Sequence, residues 1–147
     1  MNGKGIYSYP HGGVFSGHWY NNDRNGRGEF TMPDGYKYVG FYENDVKHGY
    51  GMEEFPPDDK VLRKYQGDFR NDLRHGKGIL RFINDAVYDG EFVNGAREGF
   101  GEYQSKNGER YAGNWRGGNK HGAGSITKDG VVTKGTWFNG IRRATEI

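Results

Sequence analysis

Aromatic residues and glycines recur along this chain in a fixed order, with polar residues between them. One unit has an aromatic residue, a glycine and a second aromatic residue at alternate positions, as in Tyr38–Tyr42 (YVGFY). A second unit, Gly-x-Gly, begins nine residues after the central glycine of the first, as from Gly40 to Gly49. Such short-period self-similarity predicts a tandem array of supersecondary units.

Copies of this pattern fill most of the chain. A half copy covers 3–13, further copies start near 15, 38, 65, 88 and 111, and a degenerate copy starts near 133, where Thr133 replaces the first aromatic residue. Four extra residues between Gly51 and Gly67 predict a longer, protruding hairpin at that point. We therefore predict a single repeat array over 1–147.

Pairs of Asn, Asp or Gly residues follow each second aromatic residue. These residues tolerate the positive φ that a two-residue type I′ hairpin turn needs at both central positions. Between hairpins, pairing of Gly28 with Gly40 predicts a three-residue turn at Pro33–Gly35 closed by a glycine bulge, and Asp129-Gly130 predicts another type I′ turn. The predicted tight turns are Asn21-Asn22, Asn44-Asp45, Asn71-Asp72, Asn94-Gly95, Gly117-Gly118 and Asn139-Gly140.

The turn at 44–45 sets the register of its hairpin. It predicts that Tyr42 faces Lys47 and that Gly40 faces Gly49. Because side chains alternate between the two faces of a strand, the rings and glycines then share one face. A glycine beside or opposite a ring leaves the room that the ring needs. The glycines are thus predicted to leave the space that the rings occupy.

The predicted fold is all-β. Continued pairing gives a single elongated, twisted antiparallel sheet, a solenoid-like meander of about 12 strands. One face carries the aromatic residues, and the other is polar apart from Val39, Phe41 and Ile79. The pattern predicts no helix or second sheet to cover the aromatic face. That face must therefore curl, pack on itself or bind a partner.

The repeated unit resembles the MORN (membrane occupation and recognition nexus) repeat, whose pattern is close to Y-x-G-x-W-x-x-G-x-x-x-G-x-G. The resemblance runs from Gly3 to about Arg142, with departures at Thr133 and at Ala144, where a glycine would come. It implies tandem β-hairpins in a non-catalytic interaction module. Proteins of this family are associated with cytoskeletal and ciliary assemblies, with membrane junctions and, as accessory domains, with lipid kinases and methyltransferases.

The rings of the repeat are candidate binding residues. Most of them are expected to form the core of the array, while rings nearest the axis of a groove are expected to accept a helix or an extended peptide of another protein. These residues are Phe15, Trp19, Tyr38, Tyr42, Tyr65, Phe69, Tyr88, Phe92, Tyr111, Trp115 and Trp137.

A basic residue comes five positions after each second aromatic residue. The predicted register places it directly opposite that ring, so we expect cross-strand cation–π contacts. The alternative is a line of charge that binds anionic phospholipids or an acidic partner. This basic column consists of Arg24, Lys47, Arg74, Arg97 and Lys120, with Arg142 at the same position of the degenerate copy.

Composition narrows the possible functions. Hydrophobic residues make up only 33% of the chain, so a thin fold is expected, and the 16% of aromatic residues argue against disorder. The absence of cysteine and of an apolar leader or spanning segment predicts a cytoplasmic protein. The resemblance to the MORN repeat implies association with the cytoskeleton or a cilium. A balanced formal charge of +2 gives no reason to expect nucleic-acid binding.

No catalytic or metal site is predicted. His48, His75 and His121 form a column, but successive copies lie too far apart to share an ion, and His75 is expected to pair with Asp68. The Gly-x-Gly units lead into strands, not into the helix that a phosphate loop requires. The acidic pair Glu53-Glu54 is interpreted as solvated. We predict neither an enzyme nor a cofactor.

Four other possibilities stay open. The chain could be an accessory domain of a larger enzyme, since the sequence shows no catalytic region to judge by. The strands at both ends present unpaired backbone, which predicts an edge-to-edge homodimer, excision from a longer array, or capping within a larger complex.

Overall fold

The computed structural model describes residues 1–144, which form one open antiparallel sheet whose strands follow one another in chain order. No helix is present among these residues. The strands are β1 (Gly3–Ser8), β2 (Val14–Tyr20), β3 (Asp23–Thr31), β4 (Lys37–Glu43), β5 (Val46–Glu54), β6 (Leu62–Arg70), β7 (Leu73–Phe82), β8 (Val87–Val93), β9 (Ala96–Gln104), β10 (Arg110–Arg116), β11 (Asn119–Lys128), β12 (Val131–Phe138) and β13 (Ile141–Arg142).

The all-β meander is therefore confirmed, with 13 strands where about 12 were predicted. The additional strand is β13, whose two residues pair with Trp137 and Phe138 beyond the turn at Asn139-Gly140. That turn folds the chain back on β12, which gives even the degenerate copy the start of a hairpin.

The tight turns form as the sequence predicts. Both residues of every predicted pair have positive φ, for example 48° at Asn44 and 72° at Asp45. Asp129 and Gly130 show the same conformation, with φ values of 50° and 76°. Positive φ at both positions matches the right-handed twist of the flanking strands, which is why short polar residues and glycine occupy these sites.

The register of these hairpins departs from the prediction a few residues beyond the turn. Tyr42 faces Lys47 as expected, but Gly40 faces Gly51, so the predicted pairing of Gly40 with Gly49 is wrong. Three residues of β5, His48–Tyr50, lie opposite the single residue Phe41. This bulge adds two residues to one strand. An even number preserves the alternation of side chains, so the predicted faces survive the shift.

The bulge recurs in five hairpins and explains the first glycine in five of the six Gly-x-Gly units. Gly49 has a φ of 88°, a conformation that other residues rarely adopt. A Cβ on Gly49 would meet no atom closer than 3.7 Å, so the position needs a backbone conformation, not space for a ring. The two glycines of each unit thus have different physical roles.

A line of 12 glycines crosses the sheet, with one glycine on each strand from β1 to β12. Each glycine pairs with the next one across the ladder. A Cβ on Gly51 would lie 2.5 Å from atoms of the Tyr38 ring, and one on Gly40 would lie 2.5 Å from the Cα of Gly51. Missing side chains therefore make room for rings. Across the tight turn at 44–45 the paired glycines differ from those predicted, whereas Gly28 faces Gly40 as expected. The line consists of Gly5, Gly17, Gly28, Gly40, Gly51, Gly67, Gly78, Gly90, Gly101, Gly113, Gly124 and Gly135.

The core is a continuous chain of eleven rings on one face of the sheet, which we call the inner face. Each ring meets its neighbours edge to face, as Tyr38 meets Tyr42 at 5.2 Å and Phe69 at 5.3 Å between ring centroids. This geometry places the positive edge of one ring against the negative face of the next. The order of contact is Trp19, Phe15, Tyr42, Tyr38, Phe69, Tyr65, Phe92, Tyr88, Trp115, Tyr111 and Trp137.

In four of the copies the first ring also carries a hydrogen bond. The hydroxyl of Tyr88 donates to the backbone carbonyl of Glu91 at 2.8 Å, and Tyr38, Tyr65 and Tyr111 make the same bond three residues along their own strands. Burial raises the pKa of Tyr88, so the hydroxyl keeps the proton that it donates. The bond satisfies the polar end of a side chain whose ring is fully buried.

Replacing Tyr88 by phenylalanine should lower the free energy of unfolding by about 1 kcal/mol, because the ring stays while its hydrogen bond is lost. Urea titration measures the difference. Phe15 occupies the same position in the first full copy without a hydroxyl, so Phe15→Tyr should change the free energy of unfolding in the opposite direction. Equal stability of Tyr88→Phe and the parent chain would show that the bond contributes nothing net.

Candidate functional site

The eleven rings predicted to line a groove are the core of the protein. Each exposes between 0% and 8% of its surface, with Trp19 the most exposed. A partner could touch only their edges unless the side chains above them moved. The contribution of these rings to binding stays a prediction, and their structural contribution is plain from their burial.

A second row of apolar residues lies beside the core rings, toward the longer loops of the sheet. These half-buried side chains touch one another, as Tyr9 touches Phe30 at 6.0 Å and Phe82 touches Tyr103 at 5.9 Å between centroids. They leave apolar surface open to solvent on the inner face. We call this set the rim row: Tyr9, Phe30, Tyr36, Phe55, Leu62, Phe82, Tyr103 and Ile126.

The basic column lies on the inner face between the rim row and the core. The predicted register is confirmed, since Arg97 pairs with Phe92. The predicted cation–π contact with that facing ring is wrong, because the guanidinium of Arg97 lies over Trp115, Tyr88 and Phe82 at 4.8 to 5.7 Å. Only the last member, Arg142, lies over its facing ring, Trp137.

The edge-to-face packing of the core explains these contacts. Each of the first five cations lies over the first aromatic residue of its own copy, and all but Lys120 also lie over the second aromatic residue of the next copy, which packs against that first ring. Arg24, for example, lies 5.7 Å from the Phe15 centroid and 4.9 Å from that of Tyr42. The column therefore covers the core and links adjacent copies.

The first two members of the column have acidic partners. Arg24 Nε donates to Asp45 Oδ1 at 2.7 Å. Lys47 Nζ donates to the Tyr36 hydroxyl at 2.6 Å and lies 3.4 Å from Glu53 Oε2, which accepts a hydrogen bond from that hydroxyl. Both cations are thus neutralised locally.

Glu53 was misplaced by the sequence reading, which treated it as solvated. It is 7% exposed and lies on the inner face, where the other copies carry Phe30, Leu80, Tyr103 and Ile126. Burial raises the pKa of Tyr36, and the charge of Glu53 raises it further, so the hydroxyl remains a donor. The sequence did contain a signal for this position. Glu53 is separated from Gly51 by one residue, so strand alternation places both residues on the inner face.

Burial affects the later members of the column differently. It lowers the pKa of Arg97 and that of Lys120. Both groups lie half-buried above rings. The inner face therefore carries positive charge in a partly apolar setting.

The histidine column stabilises turns. His75 Nδ1 accepts a hydrogen bond from the Asn94 amide at 3.3 Å, so the predicted pairing with Asp68 is wrong, and His121 does the same for Asn139. His48 Nε2 lies 3.3 Å from a carboxylate oxygen of Glu43. Residues 1–144 contain no group of three or more His, Cys, Asp or Glu residues placed to hold a metal ion.

The opposite face, the outer face, is mostly polar as predicted. The exceptions include Phe41, which is 47% exposed, together with Tyr50 and Phe100, which sequence reasoning missed. These two residues lie between the glycines of their Gly-x-Gly units, and alternation alone would have placed them outside. They provide matched outer-face positions for experiments on the inner face.

Comparison with known proteins agrees with this geometry. A family model for the MORN repeat matches residues 1–14, 15–35, 38–60, 65–87, 88–110 and 111–130. A search of curated proteins finds no match to the chain. In the described part of the chain, no helix is long and apolar enough to cross a membrane. MORN repeats are non-enzymatic modules that generally bind proteins or membranes. With matches over most of its length, the chain belongs to the MORN repeat family.

Proposed function

We propose that the chain is a non-catalytic cytoplasmic scaffold that binds another protein along its inner face, in a cytoskeletal or ciliary assembly. The observation that carries the proposal is the open surface made by the rim row and the basic column. Half-buried aromatic residues and cations are the side chains that contribute most to protein interfaces. No element within residues 1–144 covers this surface.

The surface is long and narrow, which favours a helix or an extended peptide over a globular partner. Tyr103 lies 5.9 Å from Phe82 and 6.2 Å from Trp115 between centroids, so it joins the rim row to the core. A partner that packs on Tyr103 would bury apolar area on a support that is already rigid. Preorganised surfaces of this kind lose little conformational entropy on binding.

A photo-crosslinking amino acid, p-benzoylphenylalanine, at Tyr103 or at Phe100 tests the proposal. Both positions lie on β9, but Tyr103 faces the inner side and Phe100 is 53% exposed on the outer side. In a cell extract, we expect irradiation to capture a protein through position 103 and not through position 100.

Thermal unfolding of both labelled chains should first show that they remain folded. Capture through position 100 alone, or equally through both positions, would contradict the proposal. Capture of lipid alone through position 103 would identify the membrane as the partner and would make peripheral binding to anionic phospholipids the function.

A further inference from the structure

The members of the basic column differ in how their charge is compensated. Arg24 contacts Asp45, and Lys47 contacts Glu53. Within residues 1–144, no carboxylate oxygen lies within 4.0 Å of the side-chain nitrogens of Arg74, Arg97 or Lys120. Three successive cations on the inner face thus lack an acidic partner.

The sequence explains this difference at two positions of the repeat. The first is the second residue of the next tight turn. This residue is Asp45 beside Arg24 and Asp72 beside Lys47, and each carboxylate accepts a hydrogen bond from the backbone amide of its neighbouring cation. Later copies have glycine at this position: Gly95, Gly118 and Gly140. Their amides still donate to the carbonyls of Arg74, Arg97 and Lys120, so the backbone arrangement is kept while the carboxylate is absent.

The second position is that of Glu53, which neutralises Lys47. The corresponding residues beside the three later cations are Leu80, Tyr103 and Ile126. Both sources of negative charge are therefore absent beside Arg74, Arg97 and Lys120. Apolar surface takes the place of one of them, directly beside the cations.

The environment raises the free energy of two of these charges, those of Arg97 and Lys120. Burial lowers the pKa of Arg97, and the neighbouring charge of Arg74 lowers it further. Burial also lowers the pKa of Lys120, an effect opposed by Glu109 and reinforced by Arg97. Half-buried cations that repel one another gain from a ligand that brings carboxylates to them.

Their spacing favours one kind of ligand. Successive cations are two strands apart, which is about 9.6 Å at about 4.8 Å per strand. Two turns of an α-helix advance about 10.5 Å over seven residues and return to nearly the same face. An extended strand places side chains on one face about every 6.8 Å, which does not match.

We infer that Arg74, Arg97 and Lys120 bind an acidic amphipathic helix of a partner protein, with one carboxylate at every seventh residue. Apolar residues beside those carboxylates would pack on Phe82, Tyr103 and Ile126. The inference rests on the proposed function, since it gives the chemistry of the partner that the inner face accepts. A single recessed line of charge between apolar rows suits a helix better than the flat surface of a membrane.

A synthetic helix of about 21 residues tests the inference. It carries glutamate at positions 1, 8 and 15 beside leucines, in a background of alanine and glutamine, with a fluorescent label. The comparison peptide has the same composition with glutamates at positions 1, 7 and 13, which places them about 120° apart around the helix. We expect the first peptide to bind the full chain at least about tenfold more tightly in fluorescence anisotropy, with affinity falling as salt rises.

Variants of the protein make the test specific. Arg74→Gln and Lys120→Gln should each weaken binding of the first peptide by about five- to tenfold. Lys77→Gln removes the same charge from the outer face of the same strand as Arg74. This control should bind within about twofold of the parent chain, and thermal unfolding should show all three variants to be folded.

Equal affinity for the two peptides, or equal effects of Arg74→Gln and Lys77→Gln, would overturn the inference. Vesicles with 30% phosphatidylserine provide the other test. If the chain binds these vesicles but neither peptide, and if Arg74→Gln and Lys120→Gln abolish vesicle binding, the three cations would be assigned to a membrane surface instead. Protein capture through position 103 without peptide binding would overturn only the inference that the partner is an acidic helix. Capture through position 100 alone would also overturn the proposed function.

Discussion

Replacing Gly51 by alanine is expected to lower the free energy of unfolding by at least about 3 kcal/mol, at the upper end of the range for overpacked cores. The added methyl group would lie 2.5 Å from Cε2 and from the hydroxyl oxygen of Tyr38, a ring with no exposed surface. The ring cannot move aside, because it packs edge to face between Tyr42 and Phe69. Chemical denaturation followed by tryptophan fluorescence measures the change.

Two controls separate the loss of room from the other effects of losing a glycine. Gly117→Ala places a methyl group in open space at a φ of 56°, so it should cost only about 1–2 kcal/mol. In a Tyr38→Leu background the atoms that obstruct the methyl group are gone, so Gly51→Ala should cost much less than in the parent chain. An equal loss of unfolding free energy in both backgrounds would contradict the view that Gly51 leaves the space that the Tyr38 ring occupies.

Truncating Trp115 to alanine should cost about 3–5 kcal/mol, the usual range for removing a large buried aromatic side chain. Trp115 packs on Tyr88 and Tyr111, lies under the guanidinium of Arg97, and donates from Nε1 to the carbonyl of Gly101 at 3.1 Å. Its loss would interrupt the chain of rings between two copies. The measurement is the midpoint and slope of a guanidinium titration.

Phe100→Ala serves as the comparison for this prediction. Phe100 lies on the neighbouring strand but is 53% exposed on the outer face, so its truncation should cost less than about 1 kcal/mol. Similar losses for the two variants would show that the sheet does not have one structural face and one solvent face. An unchanged affinity for the captured partner in a folded Trp115→Ala variant would remove this ring from the binding site.

Local turn chemistry made much of the fold predictable. Asn44-Asp45 and its equivalents specify the conformation of the tight turns without help from distant residues, and β-strand alternation then assigns each ring to a face. Gly28 was expected to face Gly40 across the longer turn at Pro33–Gly35, and it does. These predictions depend only on interactions between residues close in sequence.

The bulge was not predictable from those interactions. A two-residue turn is equally compatible with a regular ladder, in which Gly40 would face Gly49. The structure instead inserts His48–Tyr50 opposite Phe41, which aligns Gly40 with Gly51 and brings both under the Tyr38 ring. Packing of the ring determines the register, and packing is a tertiary property that the spacing of glycines alone does not express.

The candidate site was predicted less well than the fold. The sequence identified the basic column, but it assigned Arg97 to Phe92, since orientation of a ring depends on its neighbours in the core. It also left Glu53 in solvent and made the core rings the groove, whereas the surface of the inner face belongs to the rim row. The exposure of a side chain depends on its neighbours in the assembled sheet. The periodicity of the sequence could therefore assign a residue to the inner or the outer face, but it could not show which inner-face residues reach solvent.

The consecutive strand order has a consequence for how the protein gains and loses its structure. Every strand pairs only with its neighbours in sequence, so no long loop must close before the sheet can form. Nucleation can begin at any hairpin and spread in both directions, and a terminal hairpin can fray while the central ones stay intact. The molecule is thus expected to open gradually from its ends, and the slowest amide hydrogen exchange should occur in the hairpins at its middle.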